Sequence, residues 1–299
     1  MAKYIIAIIL AAVAVCFGQT IYGNAELPPG AFLWLSGDAA TEALGGAATA
    51  RSGISAGWAN PAALFNDNDI TAGATYSYIR EETTNSGIFA SRRMGDWAGA
   101  TRFFLVNTGE IEARSGPTEE PDYTFAAHQL YLQLTGARRI ADYVSLGASA
   151  KWVHERIDQY DRDSWIFDFG LTGEYKFIEA GIAVNNWGSE EVYFEDYREN
   201  YPITYRAGIA AEILDYGAIT GDWIKPDRLG GYAAIGAEGY IKDYLVLRAG
   251  YTPGHDTRNF SAGIGIEYIG FTLDYALTNY SKNLGISHQV TLSYSRRAN

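Results

Sequence analysis

The feature that most constrains this chain is a two-residue rhythm of apolar and polar side chains, recurring from about Asp69 to the C-terminus. Trp165, Phe167, Phe169 and Leu171 share one face of a segment whose other face carries Asp168, Thr172 and Glu174. Ile203, Tyr205, Ala207, Ile209 and Ala211 are set against Thr204, Arg206 and Glu212, and Val290, Leu292 and Tyr294 against Gln289, Thr291 and Ser293. Such alternation is the mark of strands with unlike faces. The rhythm predicts fourteen strands: 69–80, 85–93, 96–107, 125–137, 142–155, 163–176, 177–187, 202–213, 215–224, 231–241, 244–252, 259–269, 270–278 and 287–297. Most have the length of roughly 9–11 residues that a tilted membrane strand needs, and the number is even.

The connections alternate in length. "RMGD", the junctions at Lys176–Phe177 and Ile269–Gly270, "LDY" and "KDY" are short; Thr108–Thr124, Arg156–Arg162, Gly188–Tyr201, Ile224–Gly230, Pro253–Arg258 and Asn279–Ile286 are long. A soluble β-sandwich has no reason to gather its short turns at one end, whereas an outer-membrane barrel does. The 22 Tyr, 7 Trp and 13 Phe fit this reading, because the outward aromatics fall mostly near strand ends, where headgroup girdles lie. The alternative is a sandwich core filled by tyrosines. The expected class is therefore all-β, a transmembrane antiparallel β-barrel of about 14 strands spanning 69–299, integral to a bacterial outer membrane.

"MAKYIIAIILAAVAVCFGQT" has a basic start and a short apolar core, which reads as a signal peptide over 1–18, with cleavage as late as residue 25. A membrane anchor is the alternative, although the run is short for a span. The single cysteine, Cys16, lies inside this leader, so a mature chain holds no disulfide. With 23 basic against 35 acidic residues, the chain is not built for nucleic acid.

Polar residues on the inward faces should line the lumen. Counting about the turn at Lys242–Tyr244 sets Glu238 opposite Arg248; about Leu214, Arg206 faces Asp222; Lys176 meets Glu179 beside their turn. These pairs read either as a selectivity lining or, preferably, as structural braces, since paired charges leave no path of one sign. Residues 26–68 lack the two-residue rhythm and are rich in Ala and Gly. Phe32, Trp34, Leu35, Trp58 and Phe65 favour a compact helical or irregular hatch over a disordered tail.

The run "ALGGAATARSGISAGWANPAAL" resembles the N-terminal signature of the PorV/PorQ family, which is related to FadL-type outer-membrane barrels. Gly45, Gly46, Ala47, Trp58, Asn60, Pro61, Ala62 and Leu64 carry the likeness; Ala63 stands where the family usually has Gly. It continues in "NTGEIEAR", "SLGASAKWVHERID", "AGIAVNNWG", "LVLRAGYTPG" and "GFTLDYALTNYSKNLGISHQVTLSYS". The resemblance implies a 14-strand barrel with an N-terminal hatch in a Gram-negative outer membrane. Its partners would be outer-membrane lipid and lipopolysaccharide, with secretion-system proteins or their cargo if the role is that of a type IX secretion accessory. FadL-type relatives move hydrophobic small molecules, which is the alternative role.

No cofactor is expected. The four histidines stand in separate segments without metal-ligand spacing, and no GxSxG, P-loop or HExxH motif occurs, so a non-enzymatic protein is expected. Two acidic loops, one with Glu110, Glu112, Glu119, Glu120 and Asp122, the other with Glu190, Glu191, Glu195, Asp196 and Glu199, read as solvated loops. The alternatives are a site for a protein partner or for divalent ions.

Overall fold

The computed structural model describes residues 30–66, 68–79, 83–117, 119–188, 190–193, 197–227, 229–282 and 285–297. The expected signal peptide, the first residues of the expected hatch, Glu195 and Asp196 lie outside them.

Fourteen strands close into one antiparallel barrel: β1 (Asn68–Ile79), β2 (Thr83–Met94), β3 (Trp97–Ala113), β4 (Tyr123–Ala141), β5 (Val144–Ile157), β6 (Tyr160–Tyr175), β7 (Ile178–Gly188), β10 (Thr204–Glu212), β11 (Gly217–Pro226), β12 (Tyr232–Ile241), β13 (Leu245–Tyr251), β14 (Arg258–Tyr268), β15 (Phe271–Tyr280) and β16 (Gly285–Arg297). β8 (Glu190–Tyr193) and β9 (Tyr197–Asn200) form a separate hairpin outside the wall. Each wall strand pairs with its neighbour along the chain, and β1 with β16 completes the ring. Closure matters because hydrocarbon offers no partner for a free strand edge.

Short turns gather at one rim, at Gly95–Asp96, 142–143, Lys176–Phe177, Leu214–Tyr216, Lys242–Tyr244 and Ile269–Gly270. That rim is periplasmic by the usual asymmetry of such barrels. Two of the expected long loops are shorter than the sequence reading. β5 and β6 continue to a tight turn at Asp158–Gln159, with Asp158 at φ 56, and β3 and β4 extend until only 114–122 joins them. Charges on both faces of the β5–β6 extension (Glu155 and Arg156, Asp161 and Arg162) and a register shift between Thr108 and Ile111 in β3 hide the strand rhythm, since above the membrane no face has to be apolar.

The wall is apolar outside and polar inside. Leu247, Ile264, Leu273 and Leu292 are exposed on the outer face, while Thr75, Gln133, Ser149, Thr220 and Gln289 are buried on the inner one. This inverts a soluble protein and matches a lipid-facing surface.

Residues 30–66 fill much of the lumen. They form a 3-10 turn (Ala31–Trp34), helix α1 (Ala39–Ala43), helix α2 (Ile54–Gly57) and a second 3-10 turn (Pro61–Leu64). Asp38 caps α1 by accepting from the Thr41 N–H at 2.9 Å. Gly45 and Gly46, at φ 71 and 83, end it in a left-handed turn in which Gly46 N–H donates to the Thr41 carbonyl at 2.9 Å. Adjacent left-handed positions are costly for residues with a Cβ, which accounts for the Gly-Gly pair. Leu64 and Phe65 end the segment against Ala98, Ala100 and Ala137 of β3 and β4.

Candidate functional site

The internal segment rests on a row of wall glycines. Gly147 (β5), Gly170 (β6), Gly181 (β7), Gly208 (β10), Gly236 (β12), Gly250 (β13) and Gly263 (β14) each bring the wall so close to the segment that a Cβ would fall on it. The atoms met include the Pro61–Ala62 peptide, the Asn60 side chain, the Thr49 carbonyl and the Leu44–Gly45 peptide. None of the seven has a positive φ, so the requirement is for space rather than for an unusual backbone.

Polar anchors complete the seat. Asn60 is wholly buried; its Oδ1 accepts from Ala62 N–H at 3.1 Å, starting the Pro61 turn, while Nδ2 donates to the carbonyls of Thr49 and Leu171 at 2.8 and 3.1 Å. Pro61 suits the first position of that turn, where no N–H is needed. Asp222 Oδ2 accepts from the N–H groups of Ala48 and Thr49, both at 3.0 Å, and from the Thr49 hydroxyl at 2.6 Å. Arg206 reaches the same oxygen at 2.9 Å and also donates to the Gly46 carbonyl at 2.8 Å. Glu238 divides its carboxylate between Arg248, at 3.1 Å, and Arg51 of the segment, at 2.7 Å.

Glu238 stands directly opposite Arg248 across β12 and β13. Arg206, however, lies opposite Ile224 rather than Asp222, because the turn is centred one residue further on. Its side chain bridges the resulting diagonal. Lys176 and Glu179 do not meet: Lys176 sits exposed in the turn at φ 58 with its ammonium over the Tyr175 ring, and Glu179 accepts from Ser52 of the segment at 2.9 Å. The turn conformation carries the lysine outward, whereas the sequence count had sent it into the lumen.

Glu190 and Glu191 fall on the β8 backbone of the outer hairpin. In the other acidic loop Glu112 is engaged with Arg114 at 2.7 Å, and Asp122 with the Ser115 N–H. Among the described residues no group of three or more His, Cys, Asp and Glu side chains is close enough to hold a metal ion. His255, in the connection from β13 to β14, accepts at Nδ1 from the N–H groups of Thr257 and Arg258. Burial, with Arg258 nearby, pushes this imidazole down to about 4, so it is neutral at ordinary pH.

Toward the outer half of the barrel, segment and wall leave a small cavity of about 70 Å³, open at its mouth. Its wall combines segment residues around Leu33–Gly37, Ser55 and Trp58 with Arg102, Tyr131, Gln133, Lys151, Asn186, Arg206 and Arg258. Beside it Phe32, Phe104, Val106, Tyr131, Val153, Ile166 and Tyr201 form the largest apolar cluster of the lumen. Lys151 is held by Asp168 at 2.9 Å and by Asn186 at 3.0 Å, at a bulge where the β6–β7 register shifts. Arg258 is held by Glu42 at 2.7 Å.

Sequence reasoning does not single out Arg102, Lys151, Asp168, Glu42 or Arg258 for the lumen. The available signal was that each lies on the inward register of its strand or, for Glu42, on an Ala-rich helix with no other charge.

No family model matches the chain, and no curated protein matches it. Solved structures do. The Pseudomonas putida toluene transporter TodX aligns with a TM-score of 0.67 at 12% identity, over 88% of this chain and 98% of that one. The deltaS2S3 mutant of TodX, described as a monoaromatic hydrocarbon channel, aligns at 0.64 and 13%, over 87% and 99%. A Pseudomonas aeruginosa FadL homologue aligns at 0.58 and 11%, over 87% and 98%. Likeness at such identities is likeness of fold. This chain is an integral outer-membrane barrel of FadL-type architecture. No family model carries the narrower resemblance to PorV and PorQ.

Proposed function

We propose that this barrel is a non-enzymatic channel that admits small molecules with apolar bodies from outside into the cavity between internal segment and wall. The observation that carries the reading is the cavity itself, set in the outer half beside the aromatic cluster of Phe32, Phe104, Tyr131 and Tyr201. A concave, partly apolar site with a few convergent polar groups is the ordinary form of a ligand pocket. The paired lumen charges act as braces in this reading, because Asp222 and Glu238 each give one carboxylate oxygen to the segment. Outer-membrane neighbours named for toluene and monoaromatic hydrocarbons agree with it.

The test is uptake of labelled toluene by cells whose outer membrane carries the barrel, compared with cells carrying Ser55→Trp, which fills the cavity. Faster uptake with the wild-type barrel, lost in the variant, is expected; equal uptake with and without the barrel rejects the proposal.

A secretion accessory is the second reading. Its specific support is the β8–β9 hairpin, a two-stranded sheet separate from the barrel whose β8 includes Glu190 and Glu191. Charge reversal at both, with Glu195, should weaken a protein contact there without changing small-molecule uptake. The signature residues Gly45, Gly46, Asn60 and Pro61 do not favour this role over the first, since each is accounted for by seating the segment.

A further inference from the structure

Four cationic side chains line the cavity, and three have a carboxylate in contact: Lys151 has Asp168, Arg206 has Asp222 and Arg258 has Glu42. The fourth is Arg102, only 2% exposed, at the middle of β3. Among the described residues its Nε and Nη2 have no hydrogen-bond partner, and no carboxylate forms an ion pair with it. Asp38, next to the Gly37 that covers the guanidinium, attracts it from a distance but turns its carboxylate to the Thr41 N–H and makes no contact with it. What surrounds Arg102 is aromatic: its Cζ lies 4.3 Å from the Phe104 ring centre, 5.1 Å from Trp58 and 5.5 Å from Tyr131. Ring faces attract the charge, but they leave the directional N–H groups of the fork unanswered. A buried charge without a counter-ion is unfavourable unless something else supplies one.

We propose that Arg102 is the anchor of a binding site for a small organic monoanion, a carboxylate on a planar apolar body. The fork geometry of a guanidinium matches a carboxylate, one unmatched positive charge calls for one negative charge, and the three rings would hold the body. This deepens the channel reading and rests on it: the cavity would select for a charged head as well as an apolar body.

Benzoate and toluene are suitable probes because they share a ring and differ in the charged group. Binding of each to the purified full-length barrel in mild detergent would be followed by tryptophan fluorescence, to which Trp58 contributes beside Arg102, and by calorimetry. The wild-type protein is expected to bind benzoate, with acetate competing weakly. Arg102→Met should weaken benzoate at least tenfold and lower the ratio of benzoate to toluene affinity by a similar factor. Arg102→Lys, which keeps the charge and loses the fork, should fall between. Without ligand, Arg102→Met should melt no lower than the wild type, since it removes an unmatched charge; a lower melting point would make Arg102 a structural brace and overturn the proposal. Equal affinity of wild type and Arg102→Met for benzoate would also overturn it. If the wild type takes toluene but not benzoate, the anion site is wrong and the channel reading stands; if it takes neither, both fall.

Discussion

Replacing Asp222 by Ala tests how the internal segment is held. One carboxylate oxygen of this residue accepts from Ala48 N–H, Thr49 N–H, the Thr49 hydroxyl and Arg206, all between 2.6 and 3.0 Å. Breaking a buried pair by removing one partner costs about 3–5 kcal/mol. A buried N–H left unsatisfied costs about 1–3 kcal/mol. All four donors share one atom, so these figures overlap, and about 5 kcal/mol is the expected loss of seating free energy. At 1.4 kcal/mol per tenfold, the segment should open roughly 10³–10⁴-fold more often. Asp222→Asn is the informative comparison. Its amide oxygen can keep the Oδ2 contacts while the NH₂ group takes the place of Oδ1, which has no partner. Its loss should be only about 1.5–3 kcal/mol, the range for a hydrogen bond to a charged group. Hydrogen exchange read on peptides covering 40–66 decides the matter. Protection should fall steeply in Asp222→Ala, less in Asp222→Asn, and not at all in the wall strands. Unchanged protection in Asp222→Ala would refute the reasoning, because the wall carboxylate would then not be holding the segment.

Three further outcomes are expected. Gly181→Val or Gly250→Val, each driving a side chain into segment backbone, should expose Arg51 to trypsin while the barrel still migrates as a folded, heat-modifiable band; a seated, uncleaved segment would contradict the glycine seat. Leu247→Arg, on the outer face, should destabilise the barrel by about 2–4 kcal/mol in lipid if this position lies near the midplane; refolding equilibria in vesicles measure it, and a neutral effect would contradict the facing. His255 titrates at about 4 in the folded loop against its ordinary 6.5. The open loop therefore binds the extra proton as pH falls from about 6.5 to 4, so the closed form is steadily weakened over that window and the loss is complete below it. Exchange in 252–258, corrected for its intrinsic pH dependence, should rise over that window in the wild type and stay flat in His255→Gln; a flat wild-type profile would contradict the assignment.

The wall was legible because lipid outside and polar lumen inside enforce one alternation on every spanning strand, as Leu247-Arg248-Ala249 shows. Legibility stopped where that constraint stops. The extensions of β3 to Ala113 and of β5 to Ile157 stand in water, and neither face of them has to be apolar. The seat was hidden for another reason. Gly147, Gly181 and Gly250 each look like an ordinary small residue in a strand, and only the three-dimensional register brings them to one internal surface. Arg248 with Glu238 could be counted across a single turn. Arg206 with Asp222 came out shifted because the length of a 3-10 turn is not readable from "LDY". Lys151 with Asp168 is a diagonal pair across β5 and β6, whose register is hidden as long as 156–162 is taken for a long loop. Arg102 is a plain polar residue in a strand until Trp58, from a distant part of the chain, is set beside it.

Thiol labelling in native membranes reads out whether the segment is seated in the lumen with helix α1 buried against the wall. Cys16 is the sole cysteine, so single cysteines placed elsewhere in a Cys16→Ser background can be read cleanly. Ala43→Cys, at a position with 0% exposure, should not react with a water-soluble maleimide, whereas Ser52→Cys, exposed toward the periplasmic rim, should react readily. Rapid labelling at position 43 in the folded wild-type background would show that the segment does not occupy the lumen as described.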